Sequence, residues 1–112
     1  MDNPSLPQEV TQLHADICSA LADPRRILML YLLSERTLNV SDLAEQVGIS
    51  QPAASRHLKI LRERGLVQAV RQGPSVEYHL TDLRLIEALD LLRTVLRDRI
   101  AYRASLIEEK SD

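Results

Sequence analysis

The chain has 112 residues, 45% of them hydrophobic and 27% charged, with a formal net charge of −2. That is enough for one domain with a single modest core and too little for two. The longest unbroken apolar run, Ile27 to Leu33, falls far short of the roughly 18 residues of a membrane span. The opening Met1-Asp-Asn-Pro-Ser-Leu-Pro7 lacks the basic and apolar regions of a secretory signal. One cysteine cannot form an intramolecular disulfide, and a reducing cytoplasm is the expectation. Residues 1–7 and 107–112 read as N- and C-terminal tails, the first disordered, around a domain at 8–106.

The first helix is expected over Gln8–Ala20, with Val10, Leu13, Ile17 and Ala20 or Leu21 as its apolar stripe. Asp23 followed by Pro24 is a strong start signal for a second helix, Arg25 to about Ser34. That helix is apolar on most sides through Ile27, Leu28, Tyr31 and Leu32 or Leu33, and reads as the central buried one. Leu38–Val40 is either a brief strand or the lead into a third helix, which Ser41 would cap and Gly48 would end.

Ser50 caps a fourth helix, Pro52 sits in its first turn where a missing N–H costs nothing, and Gly65 closes it. Ala54, Leu58 and Leu61 make one inward stripe. Gln51, Ser55 and Lys59 recur every four residues on another face, with Arg56 beside them, and these are side chains able to reach base edges or phosphates. Helix, tight turn and capped second helix together read as a DNA-reading helix-turn-helix. Val67–Arg71 and Val76–Leu80 then bracket Gln72-Gly-Pro-Ser75 as a hairpin, with Val76, Tyr78 and Leu80 alternating against a wet face of Glu77 and His79. The tip, with Arg71 and Gln72, is placed like a wing that touches DNA, and His79 reads as solvated. The fold class is therefore mainly α with a two-stranded β-hairpin wing, a winged helix-turn-helix of order α-α-α-α-β-β-α.

A net negative charge by itself argues against a nucleic-acid partner, but its distribution reverses that. Between Ser50 and Gln72 lie Arg56, Lys59, Arg62, Arg64 and Arg71 against only Glu63. A basic patch on an acidic body orients a protein on DNA while limiting indiscriminate binding. Arg62 and Arg64 have an equal explanation as complements to a helix C-terminus. The expected double-stranded DNA contacts are Ser50, Gln51, Pro52, Ser55, Arg56, His57, Lys59, Arg71 and Gln72, with partial burial the alternative for His57.

Thr81 or Asp82 opens a last helix running to about Ser105. Leu85, Leu89, Leu92, Leu96 and Ile100 form its stripe, widened by Ile86, Val95 and Leu106. So small a body cannot cover all of it, and an apolar helix left over usually meets a second copy of itself. One reading helix also distinguishes few base pairs, at about 1–3 kcal/mol each, whereas two related by a two-fold axis roughly double that. A homodimer through Leu13, Ile17, Leu85, Leu89, Leu92, Leu96 and Ile100 is the expectation. A helix folded back within a monomer is the alternative.

Leu21-Ala-Asp-Pro-Arg-Arg-Ile-Leu28, Ser41-Asp-Leu-Ala44, Ser50-Gln-Pro-Ala-Ala-Ser-Arg-His-Leu-Lys-Ile-Leu61 and Arg64-Gly-Leu-Val67 resemble the ArsR/SmtB family of winged-helix repressors over about residues 10 to 105. The resemblance implies a homodimer built on the first and last helices. It also implies an operator inverted repeat, and release by an inducer, often a metal ion or metalloid.

The departure from that family matters as much. Its arsenic and cadmium sensors carry Cys-x-Cys just before the helix-turn-helix, where this chain has Leu38-Asn-Val-Ser-Asp-Leu43. Its zinc sensors use Asp and His on the last helix, where this chain has Asp90, Asp98 and arginines but no histidine. Soft and borderline metals want thiolate or imidazole, so neither familiar site is expected. No cofactor is expected either. What remains is His14-x-x-x-Cys18, one helix turn apart, as a candidate for a metal-responsive or thiol-based redox or sulfide-responsive repressor, against an inert small hydrophobe. No phosphate loop, nucleophile–base pair or metal cluster points to an enzyme. A winged-helix module for protein–protein assembly is the alternative of another class.

Overall fold

The computed structural model describes Asn3 and Ser5–Lys110, without the side chains of Glu109 and Lys110. Met1, Asp2 and Pro4 of the expected N-terminal tail, and Ser111 and Asp112 of the C-terminal one, lie outside the described residues. Two compact units divide at Thr81: residues 1–81 and residues 82–112.

In the first unit, α1 spans Leu6–Leu13. Ser5 and Gln8 form a capping box: Gln8 N–H donates to Ser5 Oγ at 3.4 Å and Ser5 N–H donates to Gln8 Oε1 at 2.9 Å. The helix thus starts two residues before Gln8, inside the segment read as a tail. It is also not one helix to Ala20. A π-helical turn at His14–Cys18 follows, closed by Ser19 N–H donating to the His14 carbonyl at 3.2 Å, and then a 3₁₀ turn at Ala20–Ala22.

The second helix, α2, spans Pro24–Glu35, capped as expected by Asp23, whose Oδ1 accepts from Arg25 N–H at 2.8 Å. Its buried side chains are Met29, Leu30 and Leu33, while Leu28 is exposed. A helix apolar on most sides carries no local mark of which side faces in, and the i, i+4 stripe through Met29 and Leu33 wins. Helix α3 spans Val40–Val47 and is capped by Asn39, not Ser41: Asn39 Oδ1 accepts from Asp42 N–H at 2.8 Å, so Ser41 already lies inside the helix. Gly48, with φ 80°, ends it in the left-handed region that glycine favours.

Helix α4 spans Gln51–Glu63, with Ser50 Oγ accepting from Ala53 N–H at 3.2 Å. Its end is a Schellman motif: Leu66 N–H donates to the Leu61 carbonyl at 2.9 Å and Gly65 N–H to the Arg62 carbonyl at 3.0 Å. Strands β1 (Val67–Gln72) and β2 (Ser75–Leu80) pair antiparallel, Val67 opposite Leu80 and Gln72 opposite Ser75. Gly73 at φ 61° followed by Pro74 gives the φ signs of a type II′ hairpin turn. Leu38 adds a single bridge, exchanging backbone hydrogen bonds with Tyr78 at 3.2 and 2.8 Å, in place of a longer strand.

The core of this unit is Ala20, Met29, Leu30, Leu33, Leu38, Leu43, Ala44, Ala54, Leu58, Leu61, Leu66 and Val67. Among the described residues no polar or charged side chain is buried. The hairpin departs from a clean alternation: Val76 is exposed, and Glu77 and His79 are half-buried. Burial on β1 stops after Ala69, so towards the tip neither face has a layer to pack on.

The second unit is α5, Arg84–Lys110, which runs past Ser105 and takes in residues 107–110 of the expected C-terminal tail. Asp82 Oδ1 accepts from Arg84 N–H at 2.9 Å, and the hydrogen-bonded Arg84 guanidinium holds the Asp82 carboxyl down to about 2. Leu89 is buried, Leu85 and Ile86 are half-buried, and Leu91, Leu92, Val95, Leu96, Ile100 and Ile107 are exposed. Among the described residues no helix is long and apolar enough to cross a membrane.

The cap assignment on α3 has a direct test. Asn39→Ala should lower stability in urea unfolding by about 1 kcal/mol, the usual cost of a lost N-cap. Ser41→Ala should leave the midpoint unchanged within error.

Candidate nucleic-acid interface

Helix α4 has an inner and an outer side. Ala54, Leu58 and Leu61 are each 1% exposed or less, and at 100° per residue they occupy one narrow stripe. Gln51, Pro52, Ser55, Arg56 and Lys59 are all exposed, as are Arg62 and Arg64. The helix therefore offers amide, hydroxyl, guanidinium and ammonium groups on a continuous outward surface, the set suited to base edges and phosphates. Ser50 is exposed at the entry to the helix, but its hydroxyl already caps the first turn. Arg71 and Gln72 are exposed at the end of β1, next to the hairpin turn.

His57 does not join that outward set. Three residues after Ala54 and four before Leu61, it lies at the edge of the buried stripe, half-buried, with Nδ1 3.3 Å from Arg26 Nη1 on α2. Of the two expectations for this residue, partial burial describes its position. Burial pushes the imidazole pKa down, and the charges of Arg25, Arg26 and Arg56 act the same way against the opposing carboxylate of Asp23. Asp23 itself is gripped by Arg25, through Nε to Oδ1 at 3.1 Å and Nη2 to Oδ2 at 2.9 Å. That hydrogen-bonded guanidinium holds its carboxyl well below the usual carboxylate range.

Arg26 is the residue that the sequence reading missed. Nothing local distinguishes it from Arg25, because its partner His57 is 31 positions away. The spacing of His57 from Ala54 and Leu61 was a usable signal that the ring belongs to the inner side.

Of the other candidates, Cys18 and His14 are both exposed on the π-helical turn. Among the described residues no three His, Cys, Asp or Glu side chains gather as a metal-binding group. His79 is half-buried on β2, with Nδ1 3.4 Å from the Leu80 carbonyl. Of the proposed pairing stripe, Leu13, Leu92, Leu96 and Ile100 are exposed, Ile17 and Leu85 are half-buried, and Leu89 is buried.

The family profile for bacterial regulatory proteins of the arsR family matches residues 23–69. The HTH-type transcriptional regulator NmtR of Mycobacterium tuberculosis is 40% identical over 92 residues, spanning 80% of this chain and 76% of that protein. The biofilm growth-associated repressor of Xylella fastidiosa is 32% identical over 81 residues, spanning 72% of this chain and 71% of the repressor. Among solved structures, a homodimeric winged helix-turn-helix DNA-binding domain from Mycobacterium bovis superposes with a TM-score of 0.74 at 27% identity, covering 91% of this chain and 95% of that one.

Ser55→Ala or Gln51→Ala should relax the choice of DNA sequence more than it weakens binding to random DNA, because these side chains are suited to base edges. Arg71→Ala should weaken both alike, as a phosphate contact does. Competition binding with selected and scrambled duplexes separates the two patterns.

Proposed function

The chain belongs to the arsR family of bacterial regulatory proteins, and on that premise we propose that it is a homodimeric repressor. It binds an inverted-repeat operator and leaves when an inducer binds. The observation that carries this reading is the two-sidedness of α4: an apolar stripe fixed in the core leaves Gln51, Ser55, Arg56 and Lys59 facing outward together. Laid in a major groove, the amide and hydroxyl would read base edges while the cationic groups meet phosphates. Arg71 and Gln72 on the wing would contact the flanking backbone.

The dimer follows from surface and from discrimination. Leu6, Val10 and Leu13 on α1 and Leu92, Val95, Leu96 and Ile100 on α5 are exposed large apolar side chains, more than a soluble monomer ordinarily leaves uncovered. A second copy would cover them, and the similar M. bovis domain is itself homodimeric. Two copies also place two reading helices about one DNA turn apart, which roughly doubles the energy available for sequence choice. The family is one of transcription regulators rather than enzymes.

Selecting duplexes from a random library and measuring affinity at two salt concentrations tests the function. Binding should be specific and should weaken steeply as salt rises, because phosphate contacts release counterions. A salt-insensitive complex, or no selected sequence, would refute the assignment. Leu92→Glu should convert the dimer to monomers in sedimentation and reduce operator affinity by about tenfold or more through the loss of paired half-sites; a dimer that survives the change would place the interface elsewhere.

A further inference from the structure

Arg26 sits where three segments meet. Its Nε donates to the Ala20 carbonyl at 2.7 Å and its Nη2 to the Ser19 carbonyl at 3.3 Å, while Nη1 lies 3.3 Å from His57 Nδ1. One guanidinium thus ties the end of the first helical stretch, α2 and the helix bearing the outward polar face.

The contact with His57 fixes the chemistry of the ring. Arginine only donates and keeps its proton at any accessible pH. His57 Nδ1 must therefore accept, which leaves the ring neutral with its proton on Nε2. The charged groups around it are Asp23, the N-cap of α2, Arg25 and Arg26 from α2, and Arg56 from α4 itself. The one carboxylate is already engaged by both ends of Arg25. A second proton on the ring would set two donors and two cations against each other.

We propose that Arg26 is a positioning residue for DNA recognition: by holding His57 as a neutral acceptor it fixes the seating of α4, and with it the angle at which Gln51 and Ser55 meet base edges. This rests on the DNA-reading function assigned above. The Arg26–His57 contact has two separable consequences when it is lost through protonation. Sequence preference falls, because hydrogen bonds to base edges need fixed geometry. Affinity for arbitrary DNA does not fall, because the outward cationic side chains suited to phosphate keep their charge.

The test uses the full chain and a duplex it selects from a random library, against a scrambled duplex of the same composition. Affinities are compared at about pH 7.5 and at the lowest pH, down to about 4, at which circular dichroism shows the chain still folded. The low point is needed because burial and the neighbouring guanidinium groups push the His57 pKa below the ordinary imidazole range. The preference of the wild type should drop about fivefold or more at the lower pH, the size of one weakened base contact. Arg26→Lys keeps the charge without the fork, and His57→Leu removes the acceptor. Each should show the same loss already at the higher pH, with scrambled-duplex affinity held within about twofold. His57→Asn, whose amide oxygen can take the place of Nδ1, should recover most of the preference and show no difference between the two pH values.

A preference that survives Arg26→Lys and His57→Leu would overturn the proposal. So would a pH response that persists in His57→Asn. The wild-type and His57→Asn pH profiles decide the matter even if Arg26→Lys does not fold. Failure of the wild type to select any sequence would instead remove the DNA-reading function itself.

Discussion

The structure depends first on the burial of Ala54, Leu58 and Leu61 along one side of α4. Burying each leucine is worth about 1.5–3 kcal/mol, so the pair alone approaches the 5–15 kcal/mol by which a whole domain is stable. Turning the helix by one residue would lift that stripe towards solvent and drive ionic or polar side chains inward. An unpaired charge in the core costs several kcal/mol. Packing therefore decides which side of α4 faces outward, and leaves the finer seating of the helix to contacts such as Arg26–His57. The caps at Ser50 and Gly65 set its length, and packing sets which side faces in.

The same economy of core explains the rest of the surface. The buried apolar residues of the first unit lie mainly on α2, α3, α4 and the base of the hairpin, while α1 in that unit and α5 in the second keep large apolar side chains exposed. The requirement to cover them and the requirement to read more than a few base pairs both ask for a second copy. The charge pattern agrees: five basic residues against one acidic between Ser50 and Gln72, in a chain whose total is −2. Attraction to phosphate is thereby concentrated on one stretch of a body that otherwise repels it.

The elements with strong punctuation could be read directly. Helix α4 carries its N-cap, first-turn proline, 3–4 spacing and terminal glycine within sixteen residues, Ser50 to Gly65, and it forms over the expected span. Helix α2 declares its start through Asp23 and Pro24, but its all-round apolar surface concealed that Leu28 points outward. The cap of α3 was decided from outside its own sequence. Asn39 and Ser41 are both good caps, and the pairing of Leu38 with Tyr78 holds the chain extended up to Asn39, so the helix begins directly after it. Nothing in Leu13 to Ser19 distinguishes a π-helical turn from an α-helical one, because the two use the same residues and differ in which carbonyl each N–H reaches. At the site, the outward polar face was visible as a four-residue repeat. The Arg26–His57 contact joins positions 31 apart and could not be seen as a motif.

On DNA, the outward face of α4 would lie in a major groove and a second copy would repeat it one turn along. Dimethyl sulfate protection of a selected duplex tests this most directly, since the reagent methylates guanine N7 in the major groove and adenine N3 in the minor groove. Two patches of guanine N7 protection centred about 10 base pairs apart are expected, with adenine N3 between them still reactive. A single patch, or protection confined to adenine N3, would contradict it.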